Sequence, residues 1–138
     1  MPQFAMAGFL VVHGLITTFI GIGGATSPDS PSMALPSWLS WWPGPFGRSW
    51  LVDALHLGSG ASVAGGLLWL AAGVALVGAG LGWLGVPLLG DSWRILAIVG
   101  GSLGLVALGL YFHPLYLVAI LIDVAVVVLV TGAVAPVR

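Results

Sequence analysis

Four long apolar runs, at about residues 4–24, 58–84, 95–112 and 115–134, leave this chain almost no soluble fold to adopt. Each can cross roughly 30 Å of hydrocarbon at about 1.5 Å per residue, and none contains an internal proline to break a helix. Within lipid the backbone must hydrogen-bond to itself, so an uninterrupted apolar run reads as a helix. The alternation of polar positions that marks an outer-membrane barrel strand is missing. Charge points the same way: 5% of the 138 residues are charged, against roughly 25% in a soluble domain. The sequence therefore predicts an all-α polytopic membrane protein, a four-transmembrane-helix bundle with one long interfacial loop, forming a single integral membrane domain over 1–138.

The same scarcity removes most chemistries. There is no Cys, hence no disulfide, thiolate nucleophile or iron–sulfur ligand. Three Arg against four Asp give a net charge of −1, too few cations to neutralise a run of nucleic-acid phosphates. No nucleophile elbow, P-loop or dinucleotide fingerprint is present. No Lys or Arg precedes the first run, which reads as a retained span and not as a cleaved signal peptide.

The long connection, roughly residues 25–57, holds five of the nine prolines and four of the seven tryptophans. Indole joins a large apolar body to one N–H donor and settles at headgroup depth, so Trp38, Trp41, Trp42 and Trp50 read as an interfacial anchor. Trp38, Trp41 and Trp42 have the spacing of one helical face, which Pro43-Gly44-Pro45 would end, and a second short helix is expected at about 49–57. Arg94 and Arg138 fall on one side of the bilayer and Arg48 on the other, which by the positive-inside rule places both termini in the cytoplasm. Asp91 and Ser92 are expected to cap the third span, and Pro114 to start the fourth.

Between lipid-immersed helices, association rests on close packing and hydrogen bonds. Gly60 with Ala64, Ser62 with Gly66, Gly78 with Gly82, and Gly100 with Gly104 have the four-residue spacing of such contacts. His13, Thr17, Gly21 and Gly24 fall on one face of the first span.

An ionisable group inside a span costs roughly 2.5–3.5 kcal/mol on insertion scales and needs a partner or a purpose. His13 and Asp123 both lie near mid-membrane, and the reading pairs them, or lines one polar cavity with them together with Thr17 and Tyr116. Nearer the outer surface, Asp53, His56 and His113 form a second candidate group. Three such ligands could hold a metal, or two histidines bracket a haem, but the spacing is undistinctive, a polar rim is the plainer reading, and no metal is assigned.

The stretch His13-Gly14-Leu15-Ile16-Thr17 resembles the His-Gly-Leu-Ile-His opening of small DoxX-like four-helix bacterial membrane proteins, and Gly66-Leu67-Leu68-Trp69-Leu70-Ala71-Ala72 resembles the start of their second full span. The resemblance implies a four-helix bundle in a bacterial inner membrane, and some relatives are membrane subunits of quinone-linked oxidoreductases. Only His13 carries over by position, since Thr17 stands where a second His would be. With so few titratable groups, the chain reads as a small integral membrane subunit or anchor, not a complete enzyme, packing through glycine-rich faces against other membrane chains in a larger, redox-linked complex, or against copies of itself. Two alternatives stand beside it: a quinone-linked or proton-coupled small-molecule site at His13 and Asp123, and a homo-oligomeric channel or transporter. No cofactor follows from the residues; haem and quinone are the two that these polar groups could serve.

Overall fold

Valine is a middling helix former in water, yet the valine-rich segment Leu117–Gly132 is helical, because hydrocarbon offers its backbone no partner but itself. The same rule shapes the other runs. The structure, a computed structural model, describes residues 2–29, 34, 36–42 and 44–132. Its α-helices are α1 (Pro2–Thr26), α2 (Trp50–Ala54), α3 (Ser59–Trp83), α4 (Trp93–Leu110) and α5 (Leu117–Gly132). All but α2 are long and apolar enough to cross a bilayer, α5 together with the turn before it, and this is an integral membrane protein built as a four-helix bundle. The helix ends lie within two residues of the expected span limits, except that residues 133 and 134 fall outside the described chain.

The four spans pack in chain order: α1 on α3, α3 on α4, α4 on α5. The ring does not close, because α1 and α5 scarcely touch. The central helix α3 has half of its apolar window buried, whereas α5 has 17%.

The α1–α3 contact is the tightest. Ala7, Gly14 and Gly21 recur every seven residues on α1 and meet Gly66, Gly73 and Gly80, which recur every seven on α3. The backbones touch here: a Cβ on Gly73 would fall on Thr18 N and Gly14 O, and one on Gly21 would fall on Leu70 N. A seven-residue repeat keeps two helices in register over several turns, as in a left-handed coiled coil. Four-residue pairs were the expected signal, and they describe this molecule less well. Gly60 and Ala64 are both exposed, with open space where a Gly60 side chain would go. The face expected to join His13, Thr17, Gly21 and Gly24 is divided, because Gly21 and Gly24 abut α3 while His13 reaches α5. On α4, Gly100 packs against Leu76 of α3, whereas Gly104 turns to α5.

Helix α3 ends in a left-handed C-cap. Gly85 (φ 81°) donates to Gly82 O, and Val86 donates to Leu81 O. Ser92 stands at the N-cap of α4, but its side chain makes no capping bond and Asp91 is exposed, so the expected side-chain cap is not formed. At the fourth span the cap is histidine: His113 Nδ1 accepts from Leu115 N (3.2 Å), and Pro114 opens a 3-10 turn, Pro114–Tyr116, that leads into α5.

Two apolar cores result. One gathers Leu10, Leu76, Ala79, Ala97, Val126 and Val130 near the end that carries the N-terminus of α1, and the other gathers Trp69, Ala107, Leu108 and Tyr111 near the opposite end. A polar layer lies between them.

Candidate intramembrane site

That layer is His13 and Asp123. His13 Nε2 lies 2.9 Å from Asp123 Oδ1, so with the carboxylate ionised the imidazole N–H donates to it. Asp123 is 2% exposed. Its second oxygen, Oδ2, faces Gly104 on α4, where a Cβ would collide with it. Gly104 is thus the socket that lets α5 bury a carboxylate against α4. The imidazole is placed from its other side: the Phe9 ring stacks nearly parallel on it (6.1 Å, 8°), and Thr17 Oγ1 donates to His13 O (2.9 Å) one turn on. A buried acid in a low-dielectric setting is costly without a partner, and this bond supplies one across a seam where, besides Leu10, α1 and α5 have little contact.

Because that seam is open, the pair is not sealed. A cleft of about 270 Å³ runs between α1 and α5, lined by His13, Thr17, Asp123, Trp69 and Tyr116 among apolar side chains. Trp69 is 4% exposed, and its Nε1 has no hydrogen-bond partner among the described residues. Its ring tilts against Tyr116 (6.1 Å) and meets Tyr111 edge-on (6.0 Å, 78°). An apolar cleft with a few convergent polar groups is the usual form of a small-molecule site. Here the groups are an imidazole–carboxylate pair able to share one proton, beside a buried indole donor.

The four residues read from sequence as the intramembrane group, His13, Thr17, Asp123 and Tyr116, all line this cleft. Trp69, Phe9 and Gly104 carry no mark of these roles along the chain. Gly104 reads only as a packing glycine, since nothing along the chain shows that its neighbour is a carboxylate on another helix.

The outer-face group is not brought together. Asp53 pairs with Arg48 (2.5 Å), and His56 is exposed, its Nδ1 3.3 Å from Ala54 O. His113 is 0% exposed, with Nδ1 occupied by the Leu115 cap and Nε2 shut in without a partner among the described residues. Phe46, Trp42 and Tyr116 surround its ring at 5.0, 6.4 and 6.4 Å. Burial holds the His113 pKa below its ordinary 6.5, because the imidazolium would be desolvated. Among the described residues no three metal-ligating side chains converge, and a haem between His56 and His113 does not fit, since neither His113 nitrogen is presented outward. The physical reason is the loop: it folds its aromatic rings over His113 and not around an open ligand.

The tryptophan anchor is likewise divided. Trp38, Trp41 and Trp50 are exposed, as an interfacial belt requires. Trp42 turns inward, edge-on to Phe112 (5.5 Å). Only Ser37–Leu39 forms a helical turn, which is 3-10 and too short to align Trp42 with the others, and Pro43 lies outside the described residues. The second short helix, α2, covers Trp50–Ala54. Ser49 caps it and also donates to Leu110 O (2.9 Å), while Trp50 Nε1 donates to Gly109 O (2.8 Å). These two bonds satisfy carbonyls that the end of α4 would otherwise leave open and tie the loop to the bundle.

No protein-family model, curated protein or solved structure matches this chain.

Proposed function

We propose that this protein binds a lipid-soluble small molecule through its mid-membrane His13–Asp123 pair, in quinone-linked or proton-coupled chemistry. The observation that carries the reading is an ion-pairable dyad standing at an open seam between two spans, when closing that seam would have been the simplest way to protect it. A ligand arriving from the bilayer needs no aqueous path. A hydroxyl on it can donate to His13 Nδ1, the nitrogen the dyad leaves free, a carbonyl can accept from Trp69 Nε1, and Asp123 can take up or release the accompanying proton. The likeness of residues 13–17 to the DoxX-like opening supports the same position, and with it a bacterial inner membrane. Counting Arg94 and Arg138 on the side of the α1 N-terminus against Arg48 on the other, we take both termini as cytoplasmic.

A membrane-subunit role is the second reading, favoured by the same seam: a partner helix could fill it. A homo-oligomeric channel has no observation of its own in its favour, since the polar layer lies inside one bundle and not on an outer face.

The test is binding of a short-chain benzoquinone to purified protein, followed by quenching of tryptophan fluorescence. Saturable quenching that weakens about tenfold in His13→Ala, as loss of one hydrogen bond to a charged pair would cause, supports the site. Unsaturable quenching, or equal affinity in the variant, overturns it. Stoichiometric recovery of a second membrane chain across this seam from native membranes would establish the subunit reading in its place.

A further inference from the structure

Below the dyad, towards the face that carries the N-terminus of α1, the α1–α5 seam widens into a second groove of about 450 Å³. Its walls are apolar: Met6 and Leu10 on one side, and Ala125 and Leu129 on the other. It runs from the region of Phe9 and Ile122, next to His13, to the end of α5. Its mouth differs in character. Arg94 stands there in the first turn of α4, its guanidinium 5.4 Å from the centre of the Trp93 ring, and Trp93 in turn meets Trp83 edge-on at 4.4 Å.

Three features of this mouth call for an anion on a chain. The ion pairs among the described residues are His13–Asp123 and Arg48–Asp53, so Arg94 is an unpaired cation. Among the described residues no side chain caps the N-terminus of α4, whose first-turn N–H groups add positive potential beside it. Trp83 Nε1 is buried next to the groove with no acceptor among the described residues. A groove wholly apolar along its length, with cationic and N–H donors only at the membrane surface, matches an anionic phospholipid: acyl chain in the seam, phosphate at Arg94, ester carbonyl within reach of an indole donor.

We infer that the α1–α5 groove is a binding site for one anionic phospholipid of the bilayer, with Arg94 as its headgroup contact. The inference does not depend on a ligand at His13 and Asp123. A lipid chain here would line the lower half of the seam and leave the dyad cleft above it free.

The test is native mass spectrometry of the full chain released from detergent with phosphatidylglycerol or with phosphatidylcholine of identical acyl chains. Wild type is expected to retain one phosphatidylglycerol about tenfold more readily than phosphatidylcholine, the difference made by one charge-assisted contact. Arg94→Gln should abolish that preference, and Arg48→Gln should leave it intact. Ala125→Phe, at an exposed position that tolerates bulk, should reduce retention of both lipids. Equal retention of the two lipids by wild type, or an unchanged preference in Arg94→Gln, overturns the inference. So does a dimer that Ala125→Phe dissolves, because a second copy would then occupy the groove.

Discussion

Helix α1 has two seams, and they are built in opposite ways. Towards α3 it presents Ala7, Gly14 and Gly21, and at the glycines the two backbones come into direct contact. Towards α5 it presents Phe9, His13 and Ile16 across clefts, with one polar bond and Leu10 reaching over. The first seam is continuous and, at Gly14, Gly21 and Gly73, intolerant of a single added carbon. The second is interrupted and can open without disturbing the first. Small residues at one seam let a membrane protein anchor a helix firmly, so that the opposite seam is free to hold chemistry.

The largest expected effect is therefore at the closed seam. Gly73→Leu must force the α1 and α3 backbones apart, and should cost on the order of 3 kcal/mol of stability, read as loss of folded protein in a denaturant or thermal series. His13→Ala acts at the open seam. It leaves Asp123 buried without its partner, and because a side-chain hydrogen bond between membrane helices averages about 0.6 kcal/mol, about 1–2 kcal/mol is expected once the orphaned carboxyl is counted. If His13→Ala proves as damaging as Gly73→Leu, the contrast between the seams fails. Gly104→Ala should cost about 1 kcal/mol, by pushing Asp123 off its bond, and should be rescued by Asp123→Ala, which removes the group it strikes. Smaller again is Asp123→Asn, which keeps a hydrogen-bonding partner for His13 and should cost under about 1 kcal/mol while abolishing any proton-linked activity.

The least effect is expected outside the membrane, at His113. Its folded pKa lies below the unfolded value of 6.5, so the native state resists the proton that the unfolded chain accepts. Stability is thus intact above about pH 6.5 and falls as the pH drops below it. A melting series from pH 8 to 5 should show this decline, and His113→Asn, which can still cap Leu115, should flatten it.

The fold was legible because its signal is redundant: apolar length, scarce charge and absent prolines all say four spans. The dyad was legible for a narrower reason. His13 and Asp123 are the only titratable groups deep in spans, and a charge at that depth has few places to go. What could not be read was the partition of faces. A four-residue spacing puts His13, Thr17 and Gly21 on neighbouring positions of a helical wheel, yet each step of four drifts by about 40°, enough to send Gly21 to α3 and His13 to α5. The histidines at the outer end misled for a related reason. Asp53, His56 and His113 share a side of the membrane, but only the folded loop reveals that Trp42 and Phe46 close over His113. Gly104 was visible as a glycine and invisible as a socket, since its purpose lies in a carboxylate 19 residues away on the next span.

The central claim is that α1 is fixed to α3 and linked to α5 chiefly through His13 and Asp123. Spin-label distances in lipid nanodiscs test it directly, with labels at the exposed positions Phe19 on α1, Val74 on α3 and Val128 on α5. In wild type both distributions should be narrow. In His13→Ala the α1–α5 distribution should broaden while the α1–α3 distribution stays unchanged. If both distributions broaden together, or neither does, the dyad is not the link across the open seam and the account is wrong.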